Sequence, residues 1–299
     1  MNKFKCVAVA CSLALVLSAT GCGKSKSKNT NTVEMVSTAT NADGEYASIA
    51  GTWEDDNLNK IVIRSDGKFL TYNGNNEVTE EGICVYDESD KKIINFAYPN
   101  GEKLYTIETD GTENINFFKS NKTGRTFNKT ASADYSLELP AYTYTGSDKI
   151  MKAITEYCLK EGADYTLADV FIPAPVIFKT DESDSNDIKV TGIFWVLGYD
   201  IYADTLYGCS GTKLAGIIHL KQNGSDYEVV SADFARDGAD YDTDIQKYCD
   251  GDQELLDKFA DSQEDFEASR KAEIKSYVDT NGLNITKYQD FGWTPVELN

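Results

Sequence analysis

The sequence predicts a mainly β N-terminal domain, an up-and-down meander or small barrel, followed by an α+β domain. Three observations carry that expectation. Between Ile49 and Lys129, short alternating apolar runs are closed by Asp-Gly, Asn-Gly and related turns at a spacing of about ten residues. After Gly146 the apolar runs lengthen, and three of them read as long strands. Segments with helical periodicity, such as Glu264–Asp279 with Phe266, Ile274, Tyr277 and Val278 on one side, flank those runs.

The first element is a targeting segment, residues 1–21. Lys3 and Lys5 give a positive start, Cys6–Leu17 is apolar, and the small residues Ser18 to Gly21 follow. A helix of a dozen residues spans roughly 18 Å, short of a hydrocarbon core of about 30 Å. The alternatives are an ordinary secretion signal and a membrane anchor. Ser18-Ala19-Thr20-Gly21-Cys22 resembles a bacterial lipobox, with Ala19 where Leu is usual and Leu17 two positions earlier. The resemblance implies a diacylglycerol thioether on Cys22, cleavage before it, and attachment to the extracytoplasmic face of the cell membrane. Residues 22–46 then form a tether of Lys, Ser, Asn, Thr and Gly that cannot bury enough apolar surface to order itself.

The 299 residues carry 29 Lys plus Arg against 49 Asp plus Glu, a net charge of −20. That balance disfavours nucleic acid and anionic lipid, which bind through Lys and Arg clusters. The membrane is therefore expected as a partner only through lipid on Cys22. Once the leader is removed, four cysteines remain besides Cys22. Cys84, Cys158, Cys209 and Cys249 show no zinc spacing, and a bridge among the last three stays open.

Within residues 47–130 the elements come in a regular order. Ile61 and Ile63 share a face before the turn at Ser65–Lys68, and Phe69 and Thr71 follow it. Ile83 and Val85 alternate with Cys84 and Tyr86. Ile94, Phe96 and Tyr98 share a face, as do Tyr105 and Ile107, then Ile115 and Phe117. Seven or eight strands of four to seven residues result. The head of this region reads IAGTWE and its close reads RTFNK. A Gly-x-Trp opening a β meander, with a basic residue near the last strand, resembles the lipocalin-like domains of bacterial lipoproteins. That resemblance implies that Trp53 lies under the barrel floor against Arg125. Strands this short leave an interior that side chains nearly fill, so a roomy cup is not expected.

Residues 131–146 read as a linker, and residues 147–299 as the α+β domain with an antiparallel sheet. Ser147 can cap a helix running to about Lys160, with Asp148 in its first turn. The prolines of VFIPAPVIF suit an edge strand or a bend. Long strands are expected over Ile188–Tyr202, Lys213–Gln222 and Tyr227–Arg236, then helices over Asp244–Tyr248, Glu254–Ala260 and Glu264–Asp279. The element order is similar to cystatin-like and nuclear-transport-factor-like curved sheets, a likeness that implies nothing about function.

Few residues suggest chemistry. The one histidine, His219, lies on a strand with Ala215 and Ile217 and has no nucleophile motif beside it. An EF-hand starting at Asp240 would need Gly and Glu where Ile245 and Gly251 stand, so the acidic string Asp237–Asp244 reads as a turn. No catalytic residue, metal or cofactor is expected. The aromatic run containing Trp195, Tyr199, Tyr202 and Tyr207 is the candidate ligand-binding surface, with the Tyr202–Tyr207 segment exposed to a glycan or protein partner. The expected role is a surface-anchored binding or envelope-associated module. The alternatives are an extracytoplasmic hydrolase, for example on glycans, and a structural spacer.

Overall fold

The computed structural model describes residues 46–98, 101–111, 115–131, 138–162 and 168–299, in two compact units divided between Ser136 and Leu137. The leader, Cys22, the tether up to residue 45 and residues 132–137 of the expected linker lie outside the described residues.

In the first unit eight strands close into an antiparallel barrel: β1 (Gly51–Glu54), β2 (Lys60–Ile63), β3 (Lys68–Tyr72), β4 (Val78–Tyr86), β5 (Ile93–Ala97), β6 (Lys103–Thr109), β7 (Phe117–Ser120) and β8 (Thr126–Ala131). Each strand pairs with the next, and β8 returns to β1 with Trp53 opposite Lys129. Gly67 and Gly124 hold the tight turns at φ 87° and 70°, backbone that L side chains rarely adopt. At nine residues, β4 is longer than the expected four to seven.

The pleat turns Trp53, Ile61, Ile63, Phe69, Cys84, Ile94, Phe96, Tyr105 and Ile107 into one packed interior. One segment departs from the expected face. Ile115 is buried, but Phe117 is 43% exposed and Phe118 takes the inward position. The cause is local: the Asp110 carboxylate accepts from the backbone N–H groups of Asn116 and Phe117, so Ile115 belongs to the loop and β7 begins two residues later. Tyr98 is likewise 40% exposed because it falls in the turn after β5.

One end of the barrel is plugged by its own N-terminal turn. Residues Tyr46 to Ala50 fold under it, with Ile49 fully buried and the Tyr46 ring stacked on Tyr86 at 5.0 Å. Trp53 Nε1 donates to the Ile49 carbonyl at 2.8 Å, which satisfies the polar edge of a fully buried indole. The basic partner differs from the expected one. Lys129 Nζ sits 5.1 Å from the centre of the Trp53 ring, whereas Arg125 Nη1 pairs with Asp55 Oδ2 at 3.1 Å. Both cations lie on β8 or its approach, but only Lys129 stands opposite Trp53 in the register.

In the second unit, helix α1 (Lys149–Gly162) precedes strands β9 (Val170–Asp181), β10 (Ile188–Tyr202), β11 (Thr205–Asn223) and β12 (Asp226–Phe234). Helices α2 (Tyr241–Cys249), α3 (Gln253–Ala260) and α4 (Gln263–Asn281) follow, then β13 (Lys287–Gln289) and β14 (Val296–Glu297). The sheet runs β14-β13-β11-β10-β9, with β12 also on β11. It is mixed rather than antiparallel, because β13 lies parallel to the start of β11 at Thr205–Tyr207. Period-two alternation gives the sheet two apolar faces. Ile154 and Cys158 of α1 pack on Phe194, Val196 and Ile218. On the other face, α4 sets Ile274 and Tyr277 against Ile172 and Tyr199, while α2 and α3 set Ile245 and Phe259 against Ile193.

Local chemistry sets several boundaries. The Asp148 carboxylate, not Ser147, caps α1 by accepting from Met151 N at 3.0 Å. Pro173 and Pro175 lie on the edge strand β9, and the Pro175 carbonyl accepts from Ser269 Oγ at 2.8 Å. The expected linker is shorter than residues 131–146. Leu139 and Tyr142 are buried in the core of the second unit, and Tyr277 donates its hydroxyl to the Pro140 carbonyl at 2.8 Å. Two apolar side chains flanking a proline were enough to fold that strip onto the α4 face. Among the described residues, no disulfide joins Cys84, Cys158, Cys209 or Cys249.

Candidate functional site

The aromatic residues singled out from the sequence occupy the second unit without forming a cleft. Tyr199 is fully buried, with its hydroxyl accepting from Arg270 Nε at 2.8 Å. Tyr202 and Tyr207 are 4% and 2% exposed and meet edge-on at 6.1 Å, so the expected exposed surface is absent there. The chain turns between them through Ala203 at φ 57°, a two-residue connection too short to lift either ring into solvent. Trp195 is half-buried against Phe266 at 4.7 Å, with Lys213 Nζ 5.6 Å from its ring. The exposed aromatics of this unit are instead Phe291 and Trp293, 53% and 67% exposed, in the turn after β13.

His219 and the acidic string resolve into fastenings. Its Nδ1 lies 2.7 Å from Asp187 and its Nε2 3.3 Å from Asp233, so the imidazole straps the turn before β10 to β12. Arg236 reaches Asp240 at 3.0 Å and Asp244 at 2.8 Å, around a single 3-10 turn at Gly238–Asp240. Among the described residues, no group of three or more His, Cys, Asp or Glu side chains could hold a metal ion.

The pocket with a built character lies in the barrel. Strand alternation brings the β1–β2, β3–β4 and β7–β8 connections to one end, opposite the end plugged by Tyr46 to Ala50. There the interior side chains stop short of the rim and leave a pocket of about 290 Å³. Its inner wall is apolar, from Ile61, Tyr105 and Phe127. The buried hydroxyls of Thr71 and Ser120 also line the pocket, and its rim carries Thr79, the cations Lys60, Lys122 and Arg125, and one carboxylate, Glu80.

Each charged group at this rim is placed by a neighbour. Lys122 Nζ contacts Glu80 Oε1 at 2.6 Å and stands 5.3 Å from the Tyr105 ring centre. Burial, and then the nearby Glu80 charge, push the Tyr105 phenol far above its usual range, so it is a neutral hydroxyl at the pocket wall. Asp55 is 2% exposed at its side chain and accepts from the backbone N–H groups of Asn57 and Asn59 as well as from Arg125. Burial raises its pKa, but hydrogen bonds from Asn59 and Asn57 and the Arg125 charge hold it below the usual carboxylate range. Lys60 Nζ has a neutral partner, Asn76 Oδ1, at 3.0 Å.

This arrangement can receive the apolar part of a small molecule in an open hollow and hold a polar part at the rim. It offers no nucleophile paired with a base. Of its residues, sequence reasoning named Ile61, Thr71 and Tyr105 only as strand positions and Arg125 only for a contact with Trp53. The rim is assembled from connections far apart in the chain, and the readable signal was the basic turn Lys122–Arg125 in an acidic protein. The chain matches no known family model, no curated protein and no solved structure.

Proposed function

We propose that this chain is a lipid-anchored bacterial lipoprotein whose lipocalin-like barrel binds a small molecule at its open end, on the extracytoplasmic face of the cell membrane. The pocket at that end is the observation that carries the binding role. The lipocalin-like reading draws support from the Gly-Thr-Trp opening, the closed up-and-down barrel, and the buried Trp53 above a plugging turn. The lipobox and the polar tether support the anchored location. A net charge of −20 leaves nucleic acid an unfavourable partner. A hydrolase reading lacks an observation in its favour, and His219 serves as a strap between Asp187 and Asp233. A pure spacer would not need a barrel left open at one end.

The test is equilibrium binding of the neutral fluorophore N-phenyl-1-naphthylamine to the soluble mature chain. Saturable binding that is abolished by Thr71→Trp, which fills the mouth, is the expected result. Binding that persists unchanged in that variant would place the probe elsewhere and remove the pocket from the argument.

A further inference from the structure

We infer that the ligand of the barrel mouth is an anion with an apolar body. This rests on the reading of the mouth as a binding pocket and adds the chemical class. The chain as a whole has 49 acidic against 29 basic residues, yet the mouth is lined by three cations and one carboxylate. Surface composition alone would give the opposite balance.

The partners of those cations sharpen the argument. Lys122 is matched by Glu80 at 2.6 Å, so that pair contributes little net charge. Lys60 is held by an amide oxygen, and among the described residues no carboxylate forms an ion pair with it. Arg125 spends Nη1 on Asp55, and among the described residues its Nε and Nη2 donors have no acceptor. Asp55, held ionised by the Asn57 and Asn59 donors, offsets the charge of the guanidinium but leaves Nε and Nη2 to a ligand. Arg125 and Lys60 thus offer unspent donors at the rim of an apolar hollow. A carboxylate, sulfonate or phosphate fits that offer, because a guanidinium fork and an ammonium both donate to such groups with charge assistance. The apolar wall of Ile61, Tyr105 and Phe127 sets the rest of the molecule. A neutral or cationic ligand would leave the rim donors unanswered.

Two probes that differ by one sulfonate test this. They are N-phenyl-1-naphthylamine and 8-anilino-1-naphthalenesulfonate, titrated into the mature chain at low and high salt. The anionic probe is expected to bind about tenfold more tightly at low salt, as two half-exposed charges acting together allow, and to lose that advantage as salt screens them. Lys60→Gln and Arg125→Gln should each lower the ratio of anionic-probe to neutral-probe affinity. Lys92→Gln, in the turn between β4 and β5 at the plugged end, should leave both affinities unchanged. Equal affinity for the two probes, insensitive to salt and to both rim variants, would overturn the anion assignment and leave the pocket standing. Failure of both probes to bind in the mouth would overturn the pocket reading together with it.

Discussion

The Arg270 guanidinium forks onto the Asp290 carboxylate, with Nη1 and Nη2 each 2.6 Å from an oxygen. Its Cζ lies 4.5 Å from the Tyr288 ring centre and 5.5 Å from that of Tyr199, to whose hydroxyl Nε donates. One side chain of α4 therefore ties the central strand β10 to the segment after β13. Burial disfavours the cation, but the Asp290 and Tyr199 contacts outweigh it and raise its pKa. Gly208 makes room for the fork, since a Cβ there would stand 2.4 Å from Asp290 Oδ1.

Breaking that pair from the Asp290 side leaves a buried guanidinium with a weaker partner. Asp290→Asn is expected to cost about 3 kcal/mol, and to lower the melting transition of the second unit by about 6–12 °C. Asp226→Asn removes the exposed contact with Lys149 and should cost less than about 1 kcal/mol. Calorimetry on the full mature chain separates the two. Equal losses would mean that the fork is no more important than a surface pair.

In the barrel, the cation over Trp53 is Lys129, and this can be measured as coupling. A double-mutant cycle of Trp53→Phe with Lys129→Gln should give an interaction of about 1 kcal/mol, the size of a partly desolvated cation–π contact. The same cycle with Arg125→Gln should be additive to within about 0.5 kcal/mol. Urea midpoints of the first unit's transition provide the readout. The opposite ranking would restore the Trp53–Arg125 packing that the lipocalin resemblance implied.

Much of the fold was legible because its signals are local. The eight strands follow from alternation and Gly turns between Ile49 and Lys129, and β10 begins and ends at Ile188 and Tyr202 as the pattern indicates. The misread positions depend on non-local facts. Phe117 faces outward because Asp110 captures two backbone donors across a loop. Tyr202 and Tyr207 are buried because Ala203 adopts a left-handed conformation in a two-residue turn, and neither alternation nor composition reveals that. The mixed sheet needed β13, three residues long, to be seen beside β11. The barrel mouth was hardest to read, since Lys60, Tyr105 and Arg125 share no pattern along the chain.

The Arg236–Asp244 contact gives a pH dependence of definite sign. Hydrogen bonds from Arg236 hold Asp244 down at about 2, while an unfolded aspartate titrates at about 3.9. A lowered folded-state pKa stabilises the fold fully above about pH 4, and the contribution is lost as pH falls from about 4 to about 2. Asp244→Asn should therefore show a urea-midpoint deficit that is constant near neutrality, shrinks below about pH 4 and vanishes near pH 2. A deficit independent of pH would show that the charge is not what matters there. Because Arg236 already engages Asp240 and Asp244, millimolar Ca²⁺ is expected to shift the melt by less than about 2 °C.

The anchored location stands on one cysteine. If Cys22 carries a diacylglycerol, each buried CH₂ contributes about 0.8 kcal/mol, and two long chains together hold a protein on a bilayer stably. No helix among the described residues is long and apolar enough to cross a membrane, and a net charge of −20 repels anionic lipid. Wild-type protein is expected to partition with membranes and to incorporate a palmitate analogue. Cys22→Ala should lose the label, and any anchoring through the mature chain should go with it. Uncleaved precursor can still be held by Cys6–Leu17, so the fractionation is read on processed protein alone. Processed Cys22→Ala protein that stayed with the membrane after a high-salt wash would defeat the lipid anchor. The extracytoplasmic placement of the barrel mouth would then lose its basis, while binding at the mouth would still be decided by the two naphthyl probes.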